Sequence, residues 1–249
     1  MPGPCLAAKT LVLISEAGHR KEAVNSPKRR ESQTPIEDLD RLVGFYLLAK
    51  SVVLGEGFRD EIEWQDRLQF CDVGESHFLR EAAWVVLSSG MREAVVRRKF
   101  AALSAAFFDW SSARRISKHA QGCRKNAFRV FGHVGKIDSI IEIARSIDSQ
   151  GFVAFKDRVG TDGVLFLQSL PFIGPATSFH LAKNIGLDVV KPDRHLLRIS
   201  TLAGWSSPAE LCSAISGVTG DRLSVVDLIV WRYATLNPGY RDFLVRYFH

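Results

Sequence analysis

The chain has 249 residues, 46% hydrophobic and 24% charged, with a formal net charge of +6 and a pI near 9.3. This composition excludes a low-complexity protein. The length and apolar content are ample for a sizeable core, in one bilobal domain or two small ones. The positive net charge favours an anionic partner. No apolar segment reaches the roughly 20 residues of a membrane span. We therefore expect a soluble protein, which in a bacterium would lie in the cytoplasm at the nucleoid. Its four cysteines are widely scattered, as is typical of reduced thiols.

Residues 1–33 predict a flexible basic segment. The short apolar run near the start is interrupted by Lys9 and has no basic region before it, which argues against a signal peptide. Residues 19–33 are polar and basic and have little to bury. We interpret their run Lys28-Arg29-Arg30 as solvated charge, with a DNA-binding arm as the alternative.

Helical periodicity begins at Thr34, where Thr34, Pro35 and Glu37 form a capping-box pattern. Apolar residues then recur at helical spacing as far as Gly55, which predicts one long helix. The segment 78–87 is apolar nearly all round, as expected for a helix at the centre of a core. After a break at Ser88-Ser89-Gly90-Met91, helices are predicted over 95–107, 137–147, 152–159, 164–170 and 225–235, one more capped by Ser207-Pro208-Ala209-Glu210, and a last one after Asn237-Pro238-Gly239. Strand-like alternation is nearly absent, so we predict an all-α fold.

A basic stretch spans residues 111–136, which contain no Asp or Glu. Its positive residues are Arg114, Arg115, Lys118, Arg124, Lys125, Arg129 and Lys136. Uncompensated charges repel one another unless an anion binds, so the stretch predicts a phosphate-facing surface; an ordinary solvated face is the alternative. We take Arg124, Lys125, Arg129 and Lys136 as candidates for DNA binding.

A tight turn between two helices is predicted at residues 170–174. Pro171 bars the preceding helix from continuing, Gly174 can adopt backbone angles closed to other residues, and Pro175 suits the first turn of a new helix. Gly186 stands where the C-terminal cap of that short helix is expected. Beyond it, Asp193 follows a proline and occupies the expected N-cap position of a further helix.

These two segments, LPFIGPATS at 170–178 and PDRHLLRI at 192–199, resemble the helix-hairpin-helix and Gly/Pro-rich loop–Asp (HhH-GPD) motifs of the base-excision DNA glycosylase superfamily. Their usual forms are L-P-G-[VI]-G-x-x-T-A and V-D-x-H-[VIL]-x-R. The matching residues are Leu170, Pro171, Ile173, Gly174 and Thr177 in the first half, and Asp193, His195, Leu196 and Arg198 in the second. The resemblance implies a bilobal helical fold, with a central lobe over about 78–185 that includes the hairpin 165–185, and a second lobe formed by 34–77 and 186–249.

The resemblance also implies a function. The enzyme would flip a damaged or modified base out of double-stranded DNA and hydrolyse its N-glycosidic bond, with Asp193 as the catalytic carboxylate. Taken alone, Asp193 predicts only a helix cap, but cap and catalyst can be one residue, because a helix N-terminus keeps a carboxylate ionised beside the positive charge that develops on the sugar. We interpret His195 as structural. DNA contacts are implied at Phe172, Ile173, Gly174, Ala176 and Thr177, with a monovalent cation at the backbone of Leu170 and Ile173.

Three departures from the family pattern refine these expectations. Phe172 stands where the hairpin usually has glycine. Ala176 occupies the position of the lysine found in members with lyase activity, so the amine for a Schiff base is missing and a monofunctional hydrolase is implied. Gly90 stands where many members carry a glutamine that fills the gap left by the base, so Met91 and Arg92 become the wedge candidates. With only Cys212 near the C-terminus, neither an iron–sulfur cluster nor another cofactor is expected.

The sequence leaves two alternative functions open. One is a non-catalytic helix-hairpin-helix module that uses the hairpin as a phosphate clamp and Asp193 only as a cap; the other is an unrelated basic all-α protein. If the protein is an enzyme, its base could be an alkylated or oxidised purine, a mismatched pyrimidine or a bulky modified cytosine like those of viral genomes. This range of bases is compatible with a role in DNA repair and with a role in the removal of foreign DNA. We expect a monomer that binds no membrane.

Overall fold

The computed structural model describes residues 35–249, and all regular structure in this range is helical. Thirteen α-helices and two short 3₁₀ turns follow one another along this part of the chain. The all-α prediction is therefore confirmed for residues 35–249, whereas the predicted Thr34 cap and the segment 1–33 lie outside the described residues. None of the helices within the described range is long and apolar enough to cross a membrane.

The chain forms two compact units. The described part of the first comprises residues 35–59 together with Arg194–His249, and the second is the continuous segment Asp60–Asp193. The chain passes between these units at Arg59 and at Asp193, whereas the predicted lobe boundaries lie near residues 77 and 185.

The first unit contains five helices. They are α1 (Pro35–Gly55), α10 (Arg194–Leu202), α11 (Pro208–Thr219), α12 (Leu223–Leu236) and α13 (Tyr240–Phe248). Their bounds agree with the helices predicted in these regions. Helix α1 packs on α11 and α12, and Asp221, between those two helices, accepts hydrogen bonds from Tyr46 Oη and Lys50 Nζ at 2.6 Å each. These bonds join the N-terminal and C-terminal parts of the unit.

The second unit contains eight helices around a buried centre, the first of which begins at Arg59, a residue of the first unit. They are α2 (Arg59–Arg67), α3 (Glu75–Ser88), α4 (Glu93–Ala106), α5 (Ala113–Lys118), α6 (Ala120–Phe131), α7 (Val134–Gln150), α8 (Phe152–Gln168) and α9 (Pro175–Asn184). Helix α3 contacts α4, α5, α7 and α9, and its residues Phe78, Leu79 and Val86 are among those completely or almost completely buried. The predicted central helix is therefore confirmed. Helix α2 was not predicted, because it buries only Ile62 and Gln65 and has no apolar periodicity.

Two predicted breaks in this unit are visible in the backbone. Helix α3 ends at Ser88, as expected. The helices predicted over 152–159 and 164–170 form the single element α8, which contains a kink at Gly163 (φ 54°, ψ −130°). The kink keeps the last turn of α8 distinct from its first part, and this last turn leads into the hairpin.

Candidate nucleic-acid interface

The turn between α8 and α9 has an unusual conformation. The left-handed residue is Phe172 (φ 65°), whereas Gly174 is extended (φ −95°, ψ −174°). The sequence therefore predicted the turn correctly but was wrong in assigning the special backbone angles to Gly174. The left-handed position coincides with the place where the usual motif has glycine, and a residue with a Cβ atom is strained there.

Contacts with the start of α7 hold Phe172 in this conformation. Its ring lies edge-to-face against the ring of His133, with centroids 5.9 Å apart. The ammonium nitrogen of Lys136 lies 5.7 Å from the centroid of the same ring. The ring nevertheless stays 43% exposed. The hairpin thus presents an aromatic surface beside the N-terminus of α7.

The first turn of α9 determines which backbone amides are open to an anion. The amide of Gly174 donates to Thr177 Oγ1 at 2.7 Å, so the expected phosphate donor at Gly174 is already used. Pro175 has no N–H group, and the amide of Ser178 donates to Gly174 O at 2.9 Å. The amides of Ala176 and Thr177 make no hydrogen bond within residues 35–249. These two amides, at the positive end of the helix dipole, can donate to a phosphate oxygen.

The end of α9 is fixed by a Schellman motif around Gly186. The amide of Gly186 (φ 81°) donates to Lys183 O, and that of Leu187 donates to Ala182 O. This confirms the predicted cap. A Cβ atom on Gly186 would lie 2.7 Å from the amide nitrogen of Phe70 and 2.8 Å from the carbonyl carbon of Gln69. Glycine is therefore required both by the backbone angle and by the close approach of residues 69–70.

Asp193 immediately precedes α10, as the cap prediction required. Its amide donates to the carbonyl of Lys191 at 2.8 Å across Pro192, and its side chain is partly buried. It is also the last residue of the unit that contains the hairpin. The structure thus places this carboxylate at the start of a helix, where the amide dipoles favour an anion.

The predicted wedge residues follow a tight turn after α3. Met91 N donates to Ser88 O at 3.0 Å, and the angles at Ser89 (φ −56°, ψ 116°) and Gly90 (φ 67°) are those of a type II turn. Such a turn needs a positive φ at its third residue, which explains glycine at position 90. Met91 and Arg92 are both exposed immediately after it.

Lys136 stabilises the turn after α3 through hydrogen bonds to backbone carbonyls. Lys136 is only 2% exposed, and its ammonium group donates to Leu87 O at 2.7 Å and to Ser89 O. Burial lowers the pKa of this lysine. The expected phosphate contact at Lys136 is therefore corrected: its charge is directed inward and binds the carbonyl end of α3. Because Lys136 also contacts Phe172, it connects the wedge turn with the hairpin.

The basic stretch retains an exposed surface, but one of its members is paired. Arg124 forms a two-point ion pair with Asp138, at 2.6 Å from Nε and 3.3 Å from Nη2, and this pairing raises the pKa of Arg124. Asp138 lies just beyond the acid-free segment. On α6, Lys125 and Arg129 are one turn apart and exposed. Phe128 lies between them in sequence and is 48% exposed, so this face of α6 combines positive charge with an aromatic ring.

Two titratable residues of the second unit, Asp60–Asp193, belong to no motif that the sequence shows. His180, on α9, has its pKa lowered to about 4 by burial and then by the charges of Lys191 and Lys183. Burial raises the pKa of Glu81, on α3, whose carboxylate accepts from Asn184 Nδ2 at 2.9 Å. We interpret Glu81 as a clamp between α3 and the end of α9, because its oxygens are held by Asn184 and Arg80.

Metal ligands and thiols are the remaining candidates for chemistry. Among the described residues, no group of three or more His, Cys, Asp or Glu side chains could hold a metal ion. Of the cysteines in the described range, Cys71 is exposed, and Cys123 and Cys212 are buried. At the hairpin, Leu170 O accepts from Ile173 N at 3.1 Å and keeps one lone pair. The monovalent cation at Leu170 and Ile173 stays a prediction.

No protein-family model, curated protein or solved structure matches this chain. A functional hypothesis for the protein therefore depends on the two motifs and on the geometry of the residues that carry them.

Proposed function

We propose that this protein is a DNA glycosylase that hydrolyses the N-glycosidic bond of a damaged or modified base and leaves an abasic site. The observation that carries the proposal is the succession of a helical hairpin with two open amides, at Ala176 and Thr177, and an acid, Asp193, placed directly before a helix. The hairpin suits a DNA phosphate, and the acid suits a sugar cation.

In this mechanism the protein first binds the DNA backbone. The amides of Ala176 and Thr177 donate to one phosphate, and the exposed charges of Lys125 and Arg129 bind others along the strand. Extruding the target nucleotide costs a few kcal/mol, and a side chain that fills the vacated space offsets part of this cost. Met91 and Arg92 are the residues we assign to that space, because the turn supported by Lys136 exposes both of them.

The chemical step then separates the base from the sugar. The bond between the base nitrogen and C1′ breaks, and the electron pair leaves with the base, which takes up a proton. The carboxylate of Asp193 stabilises the positive charge on the sugar, and a water molecule supplies the hydroxyl group at C1′ and releases a proton. Ala176 cannot form a Schiff base, so the mechanism ends at the abasic site.

Replacement of Asp193 by Asn tests the proposal. Asparagine is also a good helix cap, so the fold should survive while the charge is lost. We expect single-turnover base release to fall by roughly two to three powers of ten, the equivalent of about 3–4 kcal/mol in the barrier, with DNA binding close to wild type. The substrate is first found by screening differently modified DNAs for release of free bases.

Thermal melting serves as the control for folding of the Asp193→Asn variant. If this variant folds, binds DNA and releases the base at nearly the original rate, Asp193 is only a cap and the catalytic proposal fails. If the wild-type protein binds DNA through the hairpin but releases no base from any modified DNA, the non-catalytic module is the better description.

A further inference from the structure

A second basic site lies in the unit that contains α10 and α13. A pocket of ≈ 610 Å³ is open at its surface. Its charged lining consists of Arg194 and Arg198 from α10, and Arg241 and Asp242 from α13. Three arginines therefore face one acid, and the proposed mechanism uses none of them.

The three arginines are available to a ligand. Arg194 and Arg198 are one helical turn apart, so they share a face of α10, and Arg241 is exposed as they are. The ion pairs within residues 35–249 involve other side chains. Three neighbouring guanidinium groups outside any ion pair repel one another, and binding of an anion would relieve this repulsion.

The base of the pocket positions one of these arginines. His195 Nε2 accepts a hydrogen bond from Arg194 Nε at 3.3 Å. With that nitrogen as acceptor, His195 Nδ1 carries the proton and donates to Tyr240 Oη, 3.2 Å away. Tyr240 is only 4% exposed. The chain therefore holds Arg194 through Nε and leaves its two terminal nitrogens to contact a ligand.

We propose that this pocket binds a phosphate group. Arginine presents a planar set of donors that matches two oxygens of a phosphate at once, and several arginines together favour its multiple charge. The two aromatic rings in the lining, those of His195 and Tyr240, contact each other with centroids 5.7 Å apart, and Tyr240 is almost completely buried. The guanidinium groups of the lining should therefore provide the main contacts to the ligand.

The phosphate could belong to a nucleic-acid strand or to a free phosphate-bearing small molecule. The strand is the favoured source, and this choice rests on the proposed function. Arg194 directly follows Asp193 in the chain, and their Cα atoms are about 3.8 Å apart. A backbone phosphate near the target sugar would thus be close to the start of the arginine cluster.

The test compares two double variants of the full chain. Arg198→Gln/Arg241→Gln removes two charges from the pocket, and Arg59→Gln/Arg246→Gln removes two exposed charges of the same unit outside it. Inorganic pyrophosphate is titrated by calorimetry, and duplex DNA binding is measured over a salt series. We expect the pocket variant to bind pyrophosphate at least about tenfold more weakly than the control variant, and to lose about 0.9 of logarithmic salt slope for each phosphate contact removed.

Loss of both pyrophosphate and DNA binding in the pocket variant alone supports a strand phosphate, and loss of pyrophosphate binding alone supports a free ligand. The proposal is overturned if both variants behave alike, or if the wild-type protein does not bind pyrophosphate and the pocket variant keeps the wild-type salt slope. These measurements do not require base release. A protein that binds phosphate here but releases no base would therefore refute the glycosylase function and retain the pocket.

Discussion

Substitutions of Phe172, the strained residue of the hairpin, should change the free energy of unfolding by an amount that follows from the structure. Phe172→Ala removes the ring and keeps a Cβ atom at a left-handed position (φ 65°). Phe172→Gly removes both. Loss of the edge-to-face contact with His133, at 5.9 Å between centroids, should destabilise both variants by about 0.5–1.5 kcal/mol.

The two variants differ only in the backbone contribution. Glycine relieves about 1–2 kcal/mol of left-handed strain, and its greater freedom in the unfolded chain offsets about 0.4–1 kcal/mol of this gain. Phe172→Gly should therefore be more stable than Phe172→Ala by about 1 kcal/mol, although glycine normally makes a folded protein less stable than alanine does.

Urea unfolding of the full chain measures this difference, with midpoints compared between variants whose transitions have equal slopes. Phe172→Gly should unfold at the higher urea concentration. If Phe172→Ala proves equally stable or more stable, residue 172 does not hold a left-handed conformation in solution, and the hairpin adopts a different backbone conformation.

Three further predictions concern other parts of the chain. Gly186→Ala should destabilise the protein by about 2 kcal/mol or more, because the new Cβ atom would approach backbone atoms to 2.7 Å at a positive φ. Gly217→Ala on helix α11 is the control, because its Cβ atom would meet nothing within 4 Å. This control variant should be more stable than wild type by about 0.5–1 kcal/mol in the same urea assay. His180 has a pKa of about 4 in the folded protein, so the unfolded chain binds a proton first as pH falls below about 6.5 and stability declines from there to about pH 4. The free energy of unfolding of His180→Gln should therefore fall by about 2 kcal/mol less than that of wild type between pH 7 and pH 5, and an equal acid response would contradict the lowered pKa of His180. Because position 176 is alanine, the product should be an intact abasic site that breaks only after alkali or heat; a borohydride-trapped adduct on a denaturing gel would refute this and direct attention to Lys191.

The sequence predicted the helices well where apolar periodicity or a specific turn residue marks them. Helix α11 begins at Pro208 after the predicted Ser207 cap, whose hydroxyl accepts from Glu210 N at 3.1 Å, and Gly186 ends α9 as expected. Helix α2 could not be predicted from periodicity, since charged residues occupy most of its positions. Its buried contacts are made with segments distant in the chain, for example between Gln65 and the carbonyl of Lys183.

The candidate interface was predicted less completely, because charge in a sequence does not reveal its direction in space. Lys136 and Lys125 belong to the same acid-free stretch, yet one is buried against backbone carbonyls and the other is exposed. Arg124 is neutralised by Asp138, two residues beyond that stretch. The turn residues show a similar limit: the sequence favoured Gly174 for the special backbone angles in LPFIG, yet the left-handed residue is Phe172, whose ring contacts His133 and Lys136.

The discontinuous first unit has a consequence for synthesis on the ribosome. Helix α1 buries Leu42, Phe45 and Tyr46 completely, and the helices it packs on, α11 and α12, are made only after the whole of Asp60–Asp193. The nascent chain must therefore carry an unpartnered apolar helix while its middle segment is already long enough to fold. Domains generally fold as units during synthesis, so the segment that begins at Asp60 can mature first, and chaperone binding to newly made chains should concentrate on α1 until Arg194–His249 has emerged.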